Sequence, residues 1–101
     1  MSTPQTPTQV QIEIDEATSQ GIYINMAIVS HTETEFVVDF VFLQPQAPKA
    51  KVRSRIVTSP AHAKRLLSAL QENIQRYESR CGAITIPGDN TPSQRYEGHY
   101  L

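Results

Sequence analysis

The chain has 101 residues, 39% of them hydrophobic and 19% charged, with a formal net charge of −1. That is room for one domain with a modest core, one that hides only ~60–65% of its unfolded surface. No apolar run approaches the ~18 residues of a membrane span. The single Cys81 excludes an internal disulfide framework and a cysteine-built zinc site. Met1 to Gln9 has neither the basic start nor the apolar stretch of a signal peptide, so the expected setting is cytoplasmic.

Charge is divided along the chain. Residues 1–48 hold six acids and no Lys or Arg, and residues 49–65 hold six bases and no acid. Two readings are open: a nucleic-acid surface, or an acidic strand lying beside a basic one, since opposite charges pair favourably across a sheet.

Residues 1–8 are rich in Pro, Thr and Gln, have no apolar period, and read as a disordered tail. Val10, Ile12 and Ile14 alternate with Gln11, Glu13 and Asp15, the period of a half-buried first strand. Asp15 to Gly21 reads as a turn. Ile22–Ser30 and Phe36–Leu43 are apolar on both faces and rich in β-branched and aromatic types, with a hairpin-length polar segment between them. Pro45 and Pro48 mark a connection, and Ala50–Val57 resumes alternation.

Ser59 followed by Pro60 is a helix start, and Gly82 is placed to end the helix in a left-handed cap. Between them Ala63, Leu66, Leu67, Leu70, Ile74, Tyr77 and Cys81 recur at three- and four-residue spacing. The expected fold is therefore α+β: an antiparallel four-stranded β-meander, then one long C-terminal helix packed on one sheet face. The domain spans residues 9–86, and residues 87–101 read as a flexible tail.

One helix covers one sheet face. The other face would leave a large apolar patch wet, with about 1.5–3 kcal/mol at stake for each side chain. The chain is thus expected to be a non-enzymatic protein-interaction module, a homodimer or higher oligomer, with Tyr23, Ala27, Val29, Val37, Val41 and Leu43 at the partner interface.

Other constellations are of residue types that can carry chemistry. His31, Glu33 and Glu35 would share a face if extended and are all metal-ligand types, but nothing elsewhere completes the set, so no metal site is assigned. His62 reads as a solvated or locally bonded residue. Cys81 reads as a buried small hydrophobe, because the negative end of a helix disfavours a thiolate. With no phosphate loop, no Ser-His-Asp order and no paired carboxylates in apolar surroundings, no catalytic residue and no cofactor is expected. The second functional reading is a nucleic-acid-associated protein using the basic strand Lys51, Arg53 and Arg55.

Several motifs carry a resemblance. Gly21-Ile-Tyr-x-Asn25, Ser30-His31 and Glu35-Phe36-Val-x-Asp39-Phe40 lie in the first half. Pro48-Lys-Ala-x-Val-x-Ser-Arg55-Ile, Ser59-Pro60-x-His62-Ala-Lys64-Arg65-Leu and Ala69-Leu-x-x-Asn73-Ile-x-x-Tyr77-Glu78 lie in the second. Over about residues 10–84 they resemble the bacterial domain-of-unknown-function family 3467, which implies a family identity and no particular activity. The strand-then-helix order is also similar to that of the export chaperone SecB, a likeness of topology alone that implies a client-binding role.

Overall fold

A computed structural model describes residues 9–88. The N-terminal tail expected over residues 1–8, and all but the first two residues of the expected tail 87–101, lie outside the described residues. The described chain runs α1 (Glu16–Ser19), β1 (Met26–His31), β2 (Phe36–Leu43), β3 (Ala50–Thr58) and α2 (Pro60–Cys81). The sheet is antiparallel with order β1-β2-β3.

The class is α+β as the sequence predicts, but the sheet has three strands rather than four. Val10, Ile12 and Ile14 alternate as expected and yet sit in no ladder, with relative exposures of 80%, 93% and 66%. Alternation supplies a strand's faces, but only a neighbouring strand supplies its hydrogen bonds. The expected turn after it closes instead into α1, whose N-cap Asp15 accepts the Thr18 N–H at 2.8 Å. The hydrogen bonds from Thr18 hold the Asp15 carboxyl below the usual carboxylate range.

β1 begins at Met26, four residues later than the pattern predicts, and Asn25 serves as its start. The Asn25 backbone N–H donates to the Val41 carbonyl at 3.1 Å. Its side chain then takes the next rung: Oδ1 accepts the Leu43 N–H at 2.7 Å and Nδ2 donates to the Leu43 carbonyl at 2.9 Å. A single amide thus stands in for a peptide unit of a longer strand.

The helix starts where the sequence places it. Ser59 Oγ accepts the His62 N–H at 3.3 Å and Pro60 occupies the first turn. At the other end Gly82 has φ +94° and ψ 165°. This is a glycine-only region rather than the left-handed cap, so the chain leaves the helix extended. Glu78 ties the exit down, accepting the Ile84 N–H at 2.8 Å.

The largest departure is the packing of α2. None of its residues is buried, and its apolar stripe is half exposed, with Leu70 at 56% and Leu66 at 50%. The helix therefore does not bury its stripe on a sheet face. Cys81, expected to be buried on that stripe, is exposed. Among the described residues Val41 is the one buried hydrophobic side chain. The described residues of one chain do not form a packed core.

Candidate functional site

The register sorts the side chains into two faces. Ala27, Val29 and His31 of β1 lie opposite Phe40, Val38 and Phe36 of β2, and these six share one face. Met26 and Ile28 lie opposite Val41 and Asp39, and share the other face with Val37 and Leu43. The six residues expected at the partner interface are therefore not brought together. Ala27 and Val29 are on the first face, where Tyr23 also makes an edge contact with Phe42 at 6.3 Å between ring centroids. Val37, Val41 and Leu43 are on the second, and Val41 is 1% exposed. The reason is a parity shift: in this register odd-numbered residues of β1 share a face with even-numbered residues of β2.

At the centre of the second face lies an ion pair. Asp39 is 0% exposed. Its carboxylate accepts from Arg55 twice: Oδ1 from Nε at 2.7 Å and Oδ2 from Nη2 at 2.9 Å. The two residues are directly opposite in the β2–β3 register. A buried carboxylate needs such a forked partner, because desolvation of an unpaired charge costs several kcal/mol. This pair realises the acidic-beside-basic reading of the charge blocks. It was signalled by one feature, the lone acid inside the otherwise apolar run Phe36–Leu43.

The basic strand does not form a single-faced ladder. Phe40 pairs Ser54 and Val41 pairs Val52, so Arg53 has no opposing residue on β2. This one-residue bulge changes the face on which later side chains fall. Lys51, opposite Phe42, lies on the first face, and Arg55, opposite Asp39, lies on the second.

On the first face, α1 and the strand entry leave a shallow recess between Ala17, Thr18 and Gly21 on one side and Phe40 and Ser54 on the other. Among the described residues its wall holds no ionisable side chain. His31 stacks on the Phe36 ring at 5.3 Å. Glu33 and Glu35 sit with it in a turn built by Thr32, whose Oγ1 accepts the Thr34 and Glu35 N–H groups. Among the described residues no three metal-ligating side chains are gathered. His62 is locally bonded, with Nδ1 at 3.1 Å from Arg65 Nη1.

A three-stranded antiparallel sheet with a central Asp–Arg pair and a projecting C-terminal helix defines a small α+β domain. The chain belongs to the family described as a protein of unknown function (DUF3467), whose model matches residues 1–86. No curated protein and no solved structure matches the chain. Among the described residues no helix is long and apolar enough to cross a membrane.

Proposed function

We propose that this protein is a non-enzymatic interaction module that acts as a homodimer, with the α2 stripe at the contact between the two copies. One observation carries the reading: apolar surface without a core. Seventeen large hydrophobic side chains among the described residues are more than a third exposed, while Val41 is the one that is buried. At about 25 cal/mol per Å², fully burying one such side chain removes roughly 60–120 Å² from water. Seventeen that are about half exposed therefore offer roughly 500–1,000 Å². A stable interface takes about 800 Å² from each partner.

The stripe supports a second copy rather than a scattered surface. Leu66, Leu67, Leu70, Ile74 and Tyr77 fall on one side of a 22-residue helix, spanning several turns without an interrupting charge on that side. Two such helices packed together bury both stripes by a twofold axis. The uncharged recess beneath α1 favours a binding role over an enzymatic one. The bulge, which puts Lys51 and Arg55 on different faces, weighs against the nucleic-acid reading. The client-binding reading rested on a four-strand order, of which three strands are present. The lone exposed Cys81 suits a reducing, cytoplasmic setting.

A dimer whose folding depends on association has a melting temperature that rises with concentration. A hundredfold increase contributes about 2.7 kcal/mol per dimer, which corresponds to a rise of about 5–10 °C for this size. Differential scanning calorimetry or fluorimetry across that range checks it. A melting temperature independent of concentration contradicts the reading.

A further inference from the structure

Two features of the chain match each other and have no strand partner among the described residues of one copy. The first is the segment Val10–Asp15. Its apolar side chains alternate, are well over half exposed, and belong to no ladder. Its polar positions are Gln11, Glu13 and Asp15, of which Asp15 caps α1. The second is the outer edge of β3, a nine-residue strand that among the described residues is paired on one side only. That edge presents unpaired backbone donors and acceptors. It also carries Lys51 and Arg53, with Val52 and Ile56 at 36% and 44% exposure.

We propose that Val10–Asp15 of one copy adds as a fourth strand to the open β3 edge of a second copy, with Glu13 against Lys51 and Arg53. This rests on the dimer reading and specifies how the two copies exchange a strand. Strand addition gives the segment the hydrogen bonds that its alternation lacks, and with Glu13 on the face of Lys51 it lays Val10, Ile12 and Ile14 on the opposite face, that of Val52. Charge selects this edge over the other. β1 is the other edge of the described sheet, but Met26–His31 holds neither Lys nor Arg, whereas Ala50–Thr58 holds three and no acid.

The test uses full-length chains carrying Cys81→Ser, so that introduced cysteines are the only thiols. One chain adds Glu13→Cys, and a second chain of distinguishable mass adds Arg53→Cys. The two are mixed and treated with a short bismaleimide. A covalent heterodimer is expected at least about tenfold above that formed when Glu33→Cys replaces Glu13→Cys. In parallel, Glu13→Lys alone is expected to weaken dimerisation about tenfold, two cross-strand pairs per dimer each contributing up to ~1 kcal/mol. Combining Glu13→Lys with Arg53→Glu in one chain is expected to restore it. A dimeric mass with cross-linking no higher than the Glu33 control overturns the strand exchange and leaves the dimer reading standing. A monomeric mass overturns the dimer reading itself. Efficient cross-linking within a single chain carrying both Glu13→Cys and Arg53→Cys places the strand in its own copy and also overturns the exchange.

Discussion

Replacing Arg55 by alanine lowers the stability of the folded protein by about 3 kcal/mol, the low end of the cost of breaking a buried ion pair. The low end applies because Arg55 is itself 47% exposed, so water can reach part of the vacated space. Asp39 has no exposure of its own, and Arg55 supplies a hydrogen bond to each of its carboxylate oxygens. The loss is large for a domain of this size, whose total stability is of the order of 5–10 kcal/mol. It corresponds to a fall in melting temperature of about 10–20 °C. Arg55→Lys recovers part of it as a point charge, but not the forked geometry. Urea unfolding of the three proteins at one fixed concentration measures the differences. A loss below about 0.5 kcal/mol for Arg55→Ala would mean that the pair contributes no more than an ordinary surface bridge.

The second large effect lies on α2. Leu70→Glu puts a charge in the middle of the stripe. If Leu70 is an interface anchor, the substitution costs about 2 kcal/mol or more in each copy. A twofold dimer counts it twice, so the dissociation constant rises by roughly a thousandfold. If Leu70 is merely a half-exposed surface residue, the change stays within about ±0.5 kcal/mol. These outcomes differ by orders of magnitude in sedimentation velocity over a dilution series. Gln71→Glu on the polar side of the same helix is the control and leaves the constant unchanged.

Elements whose evidence is local were legible in the sequence. Ser59-Pro60 fixed the start of α2, and the dense apolar run with its flanking turn fixed β2. Elements whose evidence lies in a neighbour were not. Val10–Asp15 reads as a strand because alternation is local, but a ladder is not, and no described strand of this chain pairs it. Asn25 reads as one more strand residue, although its side chain replaces a backbone rung. The bulge at Arg53 leaves no mark in the spacing of Ala50–Thr58, so the three bases looked like one ladder when they divide between faces. The six residues expected at the interface divide between the two faces for the same reason, since the relative parity of β1 and β2 is set by register. Asp39–Arg55 was foreshadowed by a charge balance between blocks and by the lone acid in the apolar run Phe36–Leu43. Its identity required the pairing of position 39 with position 55. The expectation that α2 covers the sheet followed from counting faces, and the exposed stripe shows that one helix does not discharge even the first of them.

The central claim is that this chain reaches a buried core only with a second copy. The most direct measurement is the mass of the full-length protein by equilibrium sedimentation at micromolar concentration, with an amide exchange profile recorded on the same sample. The account predicts twice the 11.3 kDa chain mass, with slowly exchanging amides in both the sheet and α2. A mass of one chain with the same protected amides would contradict it.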